Sequence, residues 1–473
     1  MARVYPFVLA GGLVGAEHEV AVRSPFSGDE VGRCGAATGL EVERALAAAD
    51  GARDAMASLA AWQRSQALRE LEFALAEAQD EFAALMAAEA AKPLRDARRE
   101  VQRALLTVRT AAEEALRIAG AATPLDFAAG AEGRLAVSRR VPVGVVAGIT
   151  PFNFPLNLVL HKLAPAIASG NPIVIKASPR APLTALRLGE LALGLELPPG
   201  AVNVLSGGAE PAIQLTEDGR VALLSFTGSA PVGWDLKRRA GRKKVVLELG
   251  GNAANLVHRD ADLDLAAERL TAGAFAYAGQ SCISVQRVYA HRAIYAALRQ
   301  RLVARAEALV VGDPRDEATD VGPMITDEAA ARAFAWMQEA VAAGAKAACG
   351  LKRDGGFVWP TILENVPPAA AIYKEEAFAP VLVLEPFDDF GDALRQANAS
   401  RYGLQAGVFT RDLEAALRAF RELEVGAVLM NESSSWRMDP MPYGGVKDSG
   451  FGREGLRAAI EAMTELRLLI LRG

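Results

Sequence analysis

The hydrophobic pattern along this chain changes period several times, and each change marks an element. Short, largely apolar runs stand at 143–149, 173–176, 202–205, 223–227 and 245–249. Between them lie stretches with helical spacing, near 156–169, 182–196, 209–217 and 230–240. Apolar runs without alternation, separated by helices, predict a parallel sheet covered on both faces. A second pattern of the same kind follows. Helices near 261–278, 292–310, 327–345, 389–399 and 413–424 alternate with strands near 285–290, 380–385, 405–409 and 426–431.

The ends of the chain read differently. Residues 1–37 predict short strands and turns, punctuated by Gly11-Gly12 and Ser24-Pro25-Phe26-Ser27-Gly28. Residues 41–119 are rich in Ala, Glu, Arg and Leu and predict about three helices, with Pro93 as a break. Near 133–147 the pattern turns to β-branched runs. The last apolar run, 465–471, predicts a strand. It either pairs with another subunit or edges the chain's own sheet.

No charge occurs over residues 141–160, nearly the length of a membrane span. Pro142, Pro151, Pro155, Asn153 and Asn157 interrupt that stretch, and in lipid they would leave polar groups unpaired. It reads as a buried strand, a turn and a helix start. The N-terminus has no apolar core of a signal peptide.

Composition narrows the picture. A length of 473 residues exceeds one ordinary core and predicts two or three domains. With 51% hydrophobic and 23% charged residues the chain is globular rather than disordered. Lys plus Arg number 52 against 57 acids, a formal net charge of −5. That balance argues against nucleic acid or a membrane as partner. Cys34, Cys282 and Cys349 are too scattered for a disulfide framework or a zinc site. His18, His161, His258 and His291 have no metal-ligand spacing, so no metal is expected, and the setting is expected to be cytoplasmic.

Candidate chemistry is sparse when taken singly. Neither Gly-x-Gly-x-x-Gly after a strand nor a phosphate loop ending in Gly-Lys-Ser/Thr is present. Gly207-Gly208 and Phe226-Thr227-Gly228-Ser229 are the nearest glycine-rich turns, and the second opens a helix whose N–H groups suit a pyrophosphate. Ser229 also reads as a plain N-cap. Cys282 lies among small polar residues in Gly279-Gln280-Ser281-Cys282; it is either a reactive thiol or a small buried hydrophobe. Glu248 ends an apolar strand before Gly250-Gly251. Burial there would raise its pKa and suit it to base work, unless it accepts backbone hydrogen bonds. Asn153, between Pro151 and Pro155, is either an oxyanion donor or a turn-capping amide.

Together these pieces resemble the NAD(P)-dependent aldehyde dehydrogenase superfamily. The matching segments occur in the family's order: Pro151-Phe152-Asn153-Phe154-Pro155, Ile175-Lys176-Ala177-Ser178-Pro179, Phe226-Thr227-Gly228-Ser229, Glu248-Leu249-Gly250-Gly251, Gly279-Gln280-Ser281-Cys282, Glu375-Glu376-Ala377-Phe378-Ala379-Pro380, and Pro442-Tyr443-Gly444-Gly445-Val446-Lys447-Asp448-Ser449-Gly450. They span almost the whole chain. Two departures stand out: Phe152 where tryptophan is common, and Ala379 where glycine is usual.

The resemblance implies an α/β fold in three parts: a Rossmann-type cofactor-binding domain from 1–119 and 141–245, a catalytic domain from 246–440, and a bridging, oligomerisation element from 120–140 and 441–473. It implies a homodimer or homotetramer. It also implies that Cys282 attacks an aldehyde, that Asn153 and the Cys282 N–H receive the oxyanion, and that Glu248 activates water against the thioester. For NAD or NADP it implies a wall of Ile149, Thr150, Pro151 and Phe152. The adenosine end falls to Lys176, Ser178, Pro179 and Arg180. The pyrophosphate path falls to Gly208, Phe226, Gly228, Ser229 and Val232, and the nicotinamide side to Leu249, Gly250, Glu376 and Phe378. NAD-preferring relatives often carry a glutamate where Pro179 stands, so its loss beside Arg180 opens the site to a 2′-phosphate.

For substrate, correspondence implies Phe154, His161, Ser281, Ile283, Trp436 and Arg437, with Arg103 a weaker anion contact. The resemblance is strongest to the lactaldehyde and phosphonoacetaldehyde branch, with succinate-semialdehyde enzymes near it. A small hydroxylated or anionic aldehyde is therefore expected, unless Arg437 is a solvated surface charge. Two alternatives stand beside this: a CoA-acylating semialdehyde dehydrogenase, and a non-catalytic structural or binding homologue.

Overall fold

The computed structural model describes residues 3–472. Two large sheets dominate it. In the first, five parallel strands lie in the order Lys244–Glu248, Val221–Thr227, Val145–Ile149, Ile173–Ala177, Val202–Ser206. This is the parallel sheet that the apolar runs predicted, in the Rossmann-type arrangement that the resemblance implied. Its central strands are buried on both faces, which explains why their sequences do not alternate. Antiparallel strands extend both edges: Phe7–Leu9 and Gly12–Val14 at one, Gly450–Phe451 at the other.

The second sheet has seven strands, in the order Lys346–Cys349, Thr361–Glu364, Val381–Phe387, Val285–His291, Ala253–Val257, Gln405–Phe409, Ala427–Met430. All pairs but the first are parallel. The chain passes from the first sheet to the second through residues 249–252, directly after Glu248.

The charge-free stretch 141–160 resolves into the strand Val145–Ile149, a turn, and the start of the helix Asn157–Ser169. Every residue of that helix is buried, which explains its near-continuous apolar sequence, and it ends at Gly170 with φ 81°. Among the described residues, no helix is long and apolar enough to cross a membrane.

Residues 41–119 form four helices rather than three, because Gln79 restarts a helix one residue after the previous one ends. The terminal strand Thr464–Arg472 pairs antiparallel with Arg134–Pro142 of its own chain. Among the described residues it nevertheless keeps one edge unpaired, and it exposes Leu466, Leu468, Leu469, Ile470 and Leu471.

Candidate active site

Four loops meet at the carboxyl ends of the first sheet. The topological switch falls between Val145–Ile149 and Val221–Thr227, where doubly wound sheets bind their ligands. Residues following those two strands, together with Glu248 and the turn before Cys282, enclose a cavity of about 420 Å³.

The backbone aims Cys282 into this cavity by an unusual turn. Tyr277 and Ala278 are left-handed at φ 48° and 52°, which side chains other than glycine rarely adopt. Gly279 continues at φ 67°, and a Cβ there would lie 2.2 Å from the Ala379 carbonyl oxygen. Such strain persists only where surrounding contacts impose it. Here the buried Tyr277 hydroxyl donates to the Ala90 carbonyl at 2.9 Å. Cys282 is half-buried, with Sγ 3.2 Å from Tyr443 Oη. Burial pushes its thiol up to about 12; Tyr443 and Arg437 work against that rise.

Asn153 caps no turn. Its Nδ2 donates to the Gln280 carbonyl at 2.9 Å, and its own carbonyl accepts from Lys92 Nζ at 3.0 Å. Glu248 accepts no backbone hydrogen bond: both carboxyl oxygens are buried without a partner. Burial first, and the nearby Glu454 second, raise its pKa well above the usual carboxylate range.

Beneath these groups lies an ionic cluster. Lys162 Nζ donates to Glu454 at 2.8 Å and to Thr227 Oγ1 at 2.7 Å. Arg437 Nη2 reaches His161 Nδ1 at 2.8 Å and Glu454 at 3.4 Å. Because arginine only donates, His161 Nδ1 accepts and Nε2 carries the proton towards Asp439, 2.8 Å away. Asp439 also takes a two-pronged bond from Arg103, at 3.1 and 2.7 Å.

The expected substrate residues therefore separate. Phe154, Ser281, Ile283, Arg437 and Arg103 line the cavity. His161 does not; it is buried beneath Arg437 and holds it. Trp436 is 44% exposed and lies off the cavity wall. Arg437 is no surface charge: its side chain is 6% exposed, its guanidinium stacks 3.6 Å from the Tyr443 ring centroid, and its Nε is buried without a partner.

The expected cofactor residues also divide. Pro151, Phe152, Gly228, Ser229, Leu249, Gly250, Glu376 and Phe378 line the cavity. Phe152 and Phe378 meet edge to face at 6.0 Å. Glu376 accepts from the Gly251 N–H at 3.0 Å, and burial pushes it up to about 7. A side chain at Gly250 would collide with that carboxyl. Ile149, Thr150, Lys176, Ser178, Pro179, Arg180, Gly208 and Phe226 lie outside the cavity, on adjoining strand ends and loops of the same sheet, and Val232 lies outside it in the helix Ala230–Arg239. Lys176 is buried without a carboxylate partner among the described residues, and that burial lowers its pKa to about 8. Arg180 and Val232 are exposed.

Tyr443, Glu454, Asp439, Lys162 and Lys92 belong to this site but escaped the reading of single positions. Weak signals exist for three of them. Tyr443 precedes two glycines, Glu454 sits in Gly452-Arg453-Glu454-Gly455, and Lys162 interrupts an apolar helix. Among the described residues, no cluster of His, Cys, Asp and Glu is arranged to hold a metal ion.

Known proteins carry the same architecture. A 3-sulfolactaldehyde dehydrogenase of Priestia aryabhattai is 47% identical over 92% of this chain and 91% of its own length. The crystal structure of aldehyde dehydrogenase 21 from Physcomitrella patens, in complex with the reaction product succinate, superposes with a TM-score of 0.98. It is 43% identical, over 100% of this chain and 99% of that one. A glyceraldehyde-3-phosphate dehydrogenase from Methanocaldococcus jannaschii, complexed with NADP, superposes with a TM-score of 0.93. It is 38% identical, over 97% and 100% of the two chains. The profile of the aldehyde dehydrogenase family matches residues 14–469, and the chain belongs to that family.

Proposed function

We propose that this protein oxidises a small anionic or hydroxylated aldehyde to its carboxylic acid with NAD or NADP, through covalent chemistry on Cys282. The observation that carries the reading is convergence. Cys282, Asn153, Glu248 and Arg437 line one cavity, and Glu248 and Arg437 each carry buried side-chain atoms that the protein leaves unpaired.

The residues present fit a dinucleotide. Thr150 Oγ1 is buried without a partner, and Lys176 has no carboxylate beside it. The helix Ala230–Arg239 begins without a side-chain cap at Ser229, leaving its first N–H groups for a pyrophosphate. Bound NAD or NADP supplies the hydride acceptor. Pro151, Phe152, Gly228 and Ser229 would hold it, with Glu376 and Phe378 at the nicotinamide side. Pro179 and Arg180 leave room for either cofactor.

Cys282 loses its proton to water in the cavity, and the thiolate Sγ attacks the aldehyde carbonyl. Asn153 Nδ2 and the Cys282 N–H receive the oxyanion. Loss of hydride leaves a thioester on Cys282. Glu248 then takes a proton from water, which attacks the thioester and releases the acid. A carboxylate base lining the same cavity as Cys282 favours water over CoA as the acyl acceptor.

The names of the relatives support an anionic substrate, since sulfolactaldehyde and succinate both carry an anion. Three free cysteines support a cytoplasmic location, and the exposed apolar strand Thr464–Arg472 supports assembly as a homodimer or homotetramer. The test is a panel of sulfolactaldehyde, succinate semialdehyde, lactaldehyde and hexanal, each with NAD and with NADP. Acid formed without CoA supports the reading. Dependence on CoA overturns the hydrolytic step, and a preference for hexanal overturns the substrate class.

A further inference from the structure

We propose that Lys92 is a positioning residue that ties together the two arms of the oxyanion site, the loop bearing Asn153 and the loop bearing Gln280 and Cys282. The proposal rests on the reading of Asn153 as oxyanion donor. Lys92 follows Ala91, which is left-handed at φ 51°. Its side chain is 1% exposed. The ammonium donates to the Asn153 carbonyl at 3.0 Å and to the buried carboxylate of Glu100. Glu100 accepts the N–H groups of Leu156 and Asn157, both at 3.0 Å, and so anchors the far end of the Asn153 loop.

The same ammonium reaches the other arm. It lies 4.7 Å from the ring centroid of Tyr277, in the strained turn before Cys282, as well as 3.7 Å from that of Phe154 on the Asn153 arm. The Tyr277 hydroxyl is bonded to Ala90, two residues before Lys92. Asn153 closes the circuit through its bond to the Gln280 carbonyl.

Stability alone gives little reason for this charge. A buried ion pair is often no better than apolar packing of the same volume, and aromatic rings already surround the site. What the charge adds is direction: it fixes the Asn153 carbonyl, and with it the plane from which the side-chain amide projects. Oxyanion donors lose effect steeply when displaced by fractions of an ångström.

A double-mutant cycle on the first-turnover burst of reduced cofactor tests the idea. Lys92→Gln should slow the burst roughly tenfold to a hundredfold with cofactor affinity near the native value, while the melting temperature falls because Glu100 loses its buried partner. Asn153→Ala should slow it further, and the double variant should be no slower than Asn153→Ala alone. Effects that multiply, or a native burst in Lys92→Gln, would overturn the proposal. A native burst in Asn153→Ala would defeat the oxyanion reading first, and the proposal with it. Iodoacetamide needs no oxyanion donor, so alkylation of Cys282 should proceed at the native rate in Lys92→Gln. A parallel loss would show collapse of the thiol loop and would also overturn the proposal. Should Lys92→Gln fail to fold, the charge-balanced pair Lys92→Met with Glu100→Gln carries the same cycle.

Discussion

Glu248 and Glu454 face one cavity and are charged unequally. Glu454 has Lys162 at 2.8 Å, His161 at 3.3 Å and Arg437 at 3.4 Å; Glu248 has no partner at all. Burial raises both, but the cations around Glu454 outweigh it and hold that carboxyl well below its ordinary range. Glu248 gains no such compensation and feels the Glu454 charge as well. The negative charge therefore settles on Glu454 and the proton on Glu248, which makes Glu248 a stronger base once ionised.

That inequality fixes a pH dependence. The hydrolytic step needs ionised Glu248, whose pKa is raised, so its rate should climb as pH rises through that raised value and level off above it. Glu248→Gln should keep the burst of reduced cofactor and lose both the steady-state rate and its rise with pH. Rapid mixing at several pH values is the measurement; loss of the burst itself would assign Glu248 to an earlier step.

Removing Glu454 should act in the opposite direction. Glu454→Gln deletes the like charge and leaves the cations Lys162 and Arg437, so the rise with pH should move to lower pH. Breaking a buried pair is also expected to cost about 3–5 kcal/mol of stability, visible as a lower melting temperature. An unmoved pH profile in a folded variant would mean that the two carboxyls do not interact.

Cys282→Ala should abolish oxidation and leave cofactor binding intact, while substitution of Cys34 or Cys349 leaves activity unchanged. Burial pushes both of those thiols up to about 11, and neither faces the cavity. Only thiolate alkylates, so with Cys282 near 12 the rate with iodoacetamide should rise about tenfold per pH unit across the neutral range. Tyr443→Phe removes the hydroxyl 3.2 Å from the sulfur, which helps to lower that pKa, and should slow alkylation at fixed pH. Faster alkylation would show that the hydroxyl shields the thiol instead.

How much of this was legible depends on whether a residue's role is local. The strand 145–149 announces itself as an apolar run because burial on both faces leaves little room for polar side chains. The strand Ala253–Val257 did not, since small residues and Asn255 break its run; Asn255 is buried and bonded to Ser434, 179 positions away. Glu248 stood out because a strand-end acid before two glycines is rare. Arg437 was ambiguous for the opposite reason: its partner His161 lies 276 positions away, so nothing nearby marks it as buried. His161 itself was read as a channel residue because sequence order cannot show that Arg437 lies between it and the cavity. The four-membered chain from Lys162 through Glu454 and His161 to Asp439 exists only after folding brings its segments together.

Cofactor choice should show at the adenosine end. Arg180 is exposed beside Pro179, which stands where NAD-preferring relatives often carry a glutamate; its N–H is bonded to Ser178 Oγ at 3.2 Å, and its charge helps to lower the pKa of the nearby Glu328. The enzyme should use NADP, and Arg180→Ala should raise the KM for NADP more than for NAD. An equal effect on both would show that Arg180 does not read the phosphate, and strict NAD use by the native protein would refute the expectation outright.

The anion preference should reside in Arg437. Its Nη2 is committed to His161 and Glu454, which fixes the fork, while Nε is buried with no acceptor. A buried donor left unpaired costs about 1–3 kcal/mol, and an alkyl aldehyde leaves it so. A carboxylate or sulfonate entering the cavity can take that donor in a charge-assisted bond of about 1.5–3 kcal/mol. At about 1.4 kcal/mol per factor of ten, one such bond favours the anionic aldehyde by roughly tenfold to a hundredfold. Arg437→Ala should erase that margin in the ratio of kcat/KM for succinate semialdehyde over hexanal. Arg437→Lys keeps the charge but not the planar fork, so it should recover only part of it. The neighbouring Arg103 is a poorer candidate because Asp439 already occupies two of its donors. If the ratio stays at its native value in Arg437→Ala while Arg103→Ala lowers it, the anion is read at Arg103 and the role given to Arg437 is wrong.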